Sequence, residues 1–315
     1  MNDPAEFVRL ATEQLRAAVP GRAIIAASGG IDSTTAALLV ERALGDRARA
    51  VFVDNGLLRA GEVEKVTSFF RTSGLRFDVV SAADRFFGAL RGVTDPEEKR
   101  RRIGEAFIRV FEDEAARFGA DRLVQGTIAP DWIESGGSAR DTIKTHHNVG
   151  GIPKDLRLTL VEPLRDLYKD EVRAVARHLG IPEAERQPFP GPGLGVRVIG
   201  EVTPERVRRA RVANAIVEAE VQRAVAAGEM ALPWQYFAVL LDSRTVGVLG
   251  DNRVHGDAVS VRVVESVDAM TATSMAVPRE VLARMAERIT RELTGEVVRV
   301  LYDITDKPPA TIEWE

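Results

Sequence analysis

Ala23-Ile24-Ile25-Ala26-Ala27-Ser28-Gly29-Gly30-Ile31-Asp32-Ser33-Thr34 runs from an apolar stretch through two glycines into hydroxyl and acidic side chains, and its reading decides the fold. The first five residues read as a buried strand, and Thr34 to Leu44 as the helix behind it, closed by Gly45. The same alternation continues outward. Ala50–Val53 is a second strand, ended by Asp54-Asn55-Gly56, and Glu62–Arg71 a second helix. Phe77–Val80 reads as a third strand, and a long charged helix opens at Asp95-Pro96 and runs to about Phe118. Leu123-Val124 and Leu158–Val161 supply two more strands, and a helix from about Leu167 to Leu179 stops at Gly180 with Pro182 behind it. Strands alternating with helices predict an α/β fold, a parallel sheet covered on both faces with right-handed crossovers. Ligands of such sheets sit beyond the carboxyl ends of the strands, where Ser28, Asp54 and Gln125 fall.

Gln187-Pro188-Phe189-Pro190-Gly191-Pro192-Gly193 breaks the pattern, because prolines and glycines this dense fit neither helix nor central strand. It reads as a rigid connector, and an ordinary linker fits its composition equally well. It puts a first domain at 1–187 and a second at 188–315. The second reads as a smaller α+β unit: a helix over 204–227, strands near 235–241, 245–249 and 258–264, a helix over 278–293 and a last strand at 297–302.

Composition narrows the function. Hydrophobic residues make up 45% and charged residues 29%, the balance of a globular chain. The formal charge of −4 argues against a non-specific binder of nucleic acid. Lys99-Arg100-Arg101-Arg102 has Glu97, Glu98 and Glu105 around it and reads as a solvated helix face. The chain contains no cysteine, which removes disulfides, thiolate metal sites and cysteine nucleophiles, and fits a cytoplasmic location. Its first residues are too charged for a secretory signal, and no apolar run reaches membrane-spanning length.

Two glycines after a buried strand let backbone amides approach an anion. The following helix adds its positive end, and Ser28, Ser33 and Thr34 add hydroxyls. Neither the Gly-Lys-Ser/Thr ending of a Walker loop nor a Gly-x-Gly-x-x-Gly follows the strand. A tight turn with Asp32 as an early-helix acid would explain a lone Ser-Gly-Gly. Glycines, hydroxyls and acid gathered at one strand end favour phosphate.

Ser28-Gly29-Gly30-Ile31-Asp32-Ser33 resembles the SGGxDS loop of the ATP pyrophosphatase (PP-loop) superfamily, whose members cut ATP between its α and β phosphates and adenylate an oxygen of a second substrate. Other segments narrow the resemblance. They are Gln125-Gly126-Thr127 with Pro130-Asp131-Trp132-Ile133-Glu134-Ser135 and Ile143-Lys144-Thr145-His146-His147-Asn148; Pro188 to Leu194; Val246-Gly247-Val248 with Gly250-Asp251; and Tyr302-Asp303-Ile304 with Lys307-Pro308-Pro309-Ala310-Thr311-Ile312-Glu313-Trp314-Glu315. In order and across essentially the whole chain they look like the synthetase part of the GMP synthase family.

That resemblance implies pyrophosphate contacts for Ser28, Gly29, Gly30, Ile31, Asp32, Ser33 and Thr34, and ATP contacts near Val53, Asp54, Gln125 and Gly126. It implies a lid over ATP in which Lys144 carries charge to the phosphates, Asp131 or Glu134 serves magnesium, and His146 and His147 steady charge or shuttle protons. One of the basic residues near Lys99 would reach a substrate phosphate. Lys307, Ile312, Glu313 and Arg197 fall at the xanthosine monophosphate (XMP) site; a surface arginine fits Arg197 about as well. The second unit is the expected homodimer interface. Fused relatives carry an amidotransferase with a cysteine nucleophile, which a cysteine-free chain lacks. The expectation is a separate synthetase subunit fed ammonia by a glutamine amidotransferase partner or from solution. Another PP-loop amide-forming enzyme such as NAD synthetase would lack the Lys-Thr-His-His-Asn and Lys-Pro-Pro-Ala-Thr segments, and the full lid set argues against a non-catalytic nucleotide sensor on the same fold.

Overall fold

The computed structural model describes residues 3–129, 158–182, 187–267 and 269–315. They form two compact units: Met1–Gly56 with Gly61–Ala89 and Arg101–Glu185, and Leu57–Ala60 with Leu90–Arg100 and Arg186–Glu315.

The first unit is an α/β layer structure. Its described elements are α1 (Pro4–Ala18), β1 (Ala23–Ala26), α2 (Ile31–Leu44), β2 (Ala48–Asp54), α3 (Glu62–Thr72), β3 (Phe77–Ser81), α4 (Ala83–Leu90), α5 (Pro96–Phe118, whose residues up to Arg100, Lys99 among them, belong to the second unit), β4 (Arg122–Val124), β5 (Thr159–Val161) and α6 (Lys169–His178). The five strands are parallel in the order β3-β2-β1-β4-β5. The chain winds outward from β1 to β3 and then returns to the other side of β1, so the order reverses between β1 and β4. In open α/β sheets such a reversal is where ligands bind, beyond the strands' carboxyl ends. Ala23, Ile24 and Ile25 are buried on both faces, as a central parallel strand requires. Phe70 of α3 packs edge-on to Phe52 at 6.1 Å and to Phe77 at 5.1 Å between ring centres.

The structure adds two helices that the sequence reading does not assign. In α1, Asp3 accepts from the Ala5 amide at 2.9 Å and Pro4 opens the first turn, while Val8, Ala11 and Leu15 form the buried stripe. The short α4 follows β3 after one residue. Helix α2 begins at Ile31, earlier than the apolar periodicity predicts, because the Thr34 amide and hydroxyl both bond back to the Gly30 carbonyl at 3.0 and 2.9 Å.

The second unit is α+β. Its main elements are α7 (Pro204–Ala226), β6 (Gln235–Leu249), β7 (Asn252–Glu265), β8 (Thr273–Ser274), α8 (Arg279–Glu292) and β9 (Val297–Tyr302). Strand β7 pairs antiparallel with β6 and β8 and parallel with β9. The two strands expected over 235–249 are one, with a register shift between Leu240 and Arg244 where polar Asp242-Ser243 interrupts the apolar alternation. Before the shift the strand is buried; beyond it the strand is mostly exposed. Phe237, Val239, Val264, Ala272 and Ile312 form a core cluster. The proline–glycine segment is irregular over 187–192 and then enters a buried 3-10 turn, Gly193–Arg197, so it packs as part of this unit instead of hanging as a linker.

The reading of Lys99-Arg100-Arg101-Arg102 as a solvated face is corrected at its first residue. Lys99 is fully buried, whereas Arg101 and Arg102 are exposed. The local charge pattern could not show this, because the partner that compensates Lys99 is Glu315. Among the described residues no helix is long and apolar enough to cross a membrane.

Glu296 accepts from Arg209 Nε at 2.7 Å and pairs with Arg208 as well. The Arg209 hydrogen bond leads in holding its carboxyl below the ordinary value of 4.5, against partial burial. A lowered folded value stabilises the protein above about pH 4.5, and that contribution is lost as pH falls through the folded value. Glu296→Gln is expected to lower the melting temperature at pH 7 by about 2 °C. It should also flatten the decline between pH 5 and pH 3, as scanning calorimetry over that range will show. An unchanged acid limb would remove Glu296 from the acid response.

Candidate active site

The turn between β1 and α2 is built by what two glycines lack. Gly29 has φ +82°, and a Cβ there would lie 2.5 Å from Val66 Cγ2. Gly126, just past β4, passes so close beneath the start of α2 that a Cβ would meet the Ser33 amide nitrogen at 2.7 Å. The exit of β4 is thereby seated against the loop that leaves β1, at the point where strand order reverses.

Hydroxyls lock the loop from within. Ser33 Oγ accepts from the Ser28 amide at 3.1 Å, lies 3.0 Å from Ser28 Oγ, and donates to the Gly30 carbonyl at 3.1 Å. Helix α2 has Gly30 as its N-cap, so among the described residues no side chain caps its first amides. Ser28 and Gly30 are exposed while Gly29, Ser33 and Thr34 are buried. An uncapped helix start with a pre-shaped glycine turn holds an anion through backbone dipoles.

Asp32 adds a carboxylate. Its Oδ2 accepts from Lys169 Nζ at 2.6 Å, and its Oδ1 is buried without a hydrogen-bond partner among the described residues. Lys169 begins α6 and is not singled out by the sequence, because nothing local marks a lysine so far along the chain as a partner of the loop. Asp54, at the end of β2, accepts from the Gly56 amide through Oδ1 at 3.0 Å, and its own carbonyl receives the Ala82 amide at 2.9 Å. Val53 is buried within the sheet, and the Gln125 amide donates to the Val161 carbonyl at 3.0 Å. Ser28, Asp54 and Gln125 thus stand at the carboxyl ends of three adjacent strands, β1, β2 and β4. Asp131, Glu134, Lys144, His146 and His147 lie outside the described residues. Among those described, no group of three or more His, Cys, Asp or Glu side chains is placed to hold a metal ion.

In the second unit the C-terminal stretch converges on one cluster. Arg197, almost wholly buried, is not a surface arginine. It grips Glu313 with Nε at 3.0 Å and Nη2 at 2.7 Å, and its guanidinium carbon lies 4.0 Å from the centre of the Phe237 ring. Gln235 Nε2 donates to the same carboxylate at 3.1 Å, a neighbour the sequence reading misses. Lys307 Nζ donates to the Ala269 carbonyl at 2.8 Å, and Ile312 sits in the core cluster.

Comparison with known proteins matches residues 222–314 to the family described as the GMP synthase C-terminal domain. The chain is 59% identical to a subunit of glutamine-hydrolyzing GMP synthase from Pyrococcus horikoshii, over 99% of its own length and 100% of that protein's. It is 59% identical to the equally named protein of Methanopyrus kandleri, with 100% of both chains covered. The counterpart from Methanocaldococcus jannaschii is 54% identical, again over 100% of both. Identity at this level along the whole sequence, on a parallel sheet with an uncapped glycine turn at its first strand, means that the chain belongs to the GMP synthase family, among the subunits of its glutamine-hydrolyzing type.

Proposed function

We propose that this chain carries the synthetase half of GMP formation, with ATP on the first unit's glycine turn and XMP on the second unit's C-terminal cluster. The uncapped start of α2 behind Gly29-Gly30 is the observation that carries the reading, because it offers backbone amides to the phosphates that leave. ATP adenylates the oxygen on carbon 2 of the xanthine ring and pyrophosphate departs. Ammonia then attacks that carbon, AMP leaves with the oxygen, and GMP results. The chain's own contribution is orientation and charge stabilisation.

Ser28 to Thr34 hold the β and γ phosphates through amides and hydroxyls. Val53, Asp54, Gln125 and Gly126 line the nucleoside side. Lys169, already beside Asp32, serves as a further phosphate ligand when ATP binds. Magnesium fits this loop: Asp32 Oδ1 is a hard oxygen donor left without a partner, and one carboxylate plus phosphate oxygens is the usual way a protein holds that ion. The ion would neutralise charge on the phosphates. Asp131 or Glu134 supplies a second carboxylate, Lys144 supplies lid charge, and His146 and His147 serve at the reacting centre. In the second unit Lys307 takes the XMP phosphate, and Glu313, with Ile312 beside it, meets the base. Glu313 has both oxygens already fixed by Arg197 and Gln235, so Arg197 acts by orienting Glu313. The functional division falls at 1–187 and 188–315, and the reaction belongs to the cytoplasm.

Lys169→Ala is expected to reduce kcat/KM for ATP about 100-fold. Asp32→Asn should do the same and raise the magnesium concentration needed for half-maximal rate. Pyrophosphate release at fixed XMP reads both, and rates within twofold of the parent for both variants would sink the loop assignment.

Ammonia is the chain's direct nitrogen donor, and a separate glutamine amidotransferase subunit delivers it; the relatives' naming as one subunit of a glutamine-hydrolyzing enzyme supports this. Purified chain with ATP, magnesium and XMP should form GMP from ammonium and none from glutamine until that partner is added. Glutamine-driven turnover by the chain alone would refute the division of labour.

The second unit also forms a homodimer interface. Val246, Val248 and Leu249 of β6 and Leu301 of β9 are exposed apolar side chains, a cover for which a second copy is suited. Light scattering should give twice the 34.4 kDa chain mass, and Val248→Asp should shift the population toward monomer. A monomeric parent at assay concentration overturns this.

A further inference from the structure

Lys99, Arg197 and Arg262 are the only buried lysine or arginine side chains among the described residues, and each is committed to the same C-terminal stretch. Arg262 donates to the carbonyls of Thr305 and, at 3.1 Å, Thr311, and pairs with Asp303 at 3.2 Å. Arg197 grips Glu313. Lys99 Nζ donates to the Val198 carbonyl at 2.8 Å and to the carboxylate of Glu315, whose side chain is only 5% exposed.

The stretch these cations hold has almost no regular structure of its own. After β9 it contains turns, one isolated bridge between Ala272 and Lys307, and the buried Ile312. A peptide without a hydrogen-bonding ladder gains its fixed shape from external partners, and its backbone entropy must be offset residue by residue. Arg262 spans the proline turn, Arg197 fixes residue 313, and Lys99 fixes residue 315. Glu313 and Glu315, two positions apart, are each held by a different buried cation.

We propose that Lys99 is a positioning residue for the acceptor nucleotide: with Glu315 it forms a buried latch that fixes the stretch bearing Lys307 and Glu313 in its binding geometry. The inference rests on the reading that this stretch carries the XMP subsite. Burial pushes the Lys99 ammonium down and the Glu315 carboxyl up, which marks the pair as a costly arrangement retained in a place where a methionine and a leucine would fill the same volume. Lys99 touches no substrate in this scheme. It acts through Glu315, and its loss is felt in XMP affinity.

The test uses the full chain with saturating ammonium. Lys99→Met and the milder Glu315→Gln are compared with Lys307→Ala in steady-state assays and in hydrogen exchange of residues 303–315. For both latch variants KM for XMP should rise about tenfold while KM for ATP stays within twofold. Exchange of the C-terminal stretch should accelerate without faster exchange in β6 or β7. Should Lys99→Met fail to fold, Glu315→Gln carries the comparison. If Lys307→Ala raises KM for XMP and the folded latch variant does not, the latch is overturned. If the latch variants loosen the stretch and none of the three changes KM for XMP, the subsite reading beneath it has failed instead. A rise in KM for both substrates together with faster exchange in β6 and β7 would reduce Lys99 to general stability and would also overturn the proposal.

Discussion

A buried cation without a partner costs several kcal/mol, so wherever one is kept the surrounding chain must be arranged to satisfy it. The C-terminal stretch of this protein is organised by that constraint. Lys99, Arg197 and Arg262 are withdrawn from water, and the carboxylates and carbonyls that compensate them come chiefly from residues after β9. The arrangement works in both directions. The cations are compensated by the C-terminal stretch, and that stretch, whose ladder is limited to the bridge between Ala272 and Lys307, takes much of its anchoring from them.

The first unit is shaped for the proposed reception of polyphosphate mostly by omission. Gly29 lacks the carbon that would strike Val66 of α3, and Gly126 lacks the one that would strike the start of α2 at the exit of β4. Helix α2 lacks the side-chain oxygen that usually caps such a terminus. Its first amides are thus open to an anion, and Ser33 commits its hydroxyl to the loop's own backbone, holding the turn in shape beforehand. Preorganisation of this kind moves the cost of orienting dipoles into folding, where it is met once.

Much of this is legible in the sequence. The alternation of apolar runs and amphipathic helices points to the parallel sheet, and the paired glycines after β1 point to the sharp turn found there. Both depend on short-range rules. What escapes is set at long range. Lys99 sits among charges that make it look solvated, and only the distant Glu315 explains its burial. Lys169 bears on Asp32 through folding alone, as Gln235 does on Glu313. Helix α1 is missed because its charged residues speak first to the question of a signal peptide and only second to helical periodicity. Asp242-Ser243 suggests a break in β6, and the strand absorbs it as a shift in register.

The strand order β3-β2-β1-β4-β5 also bears on how the protein is made. As the chain leaves the ribosome, β1, β2 and β3 emerge in succession and can pair at once. The other edge of β1 stays open until β4 has been translated, and β5 comes later still. The ammonium that faces Asp32 is separated from it by 137 positions. The glycine turn proposed to receive ATP is therefore shaped among the earliest residues, and its neighbourhood is completed by some of the later ones. Until β4 is in place the open edge of β1 is a strand edge of the kind to which a chaperone or a misplaced strand can attach.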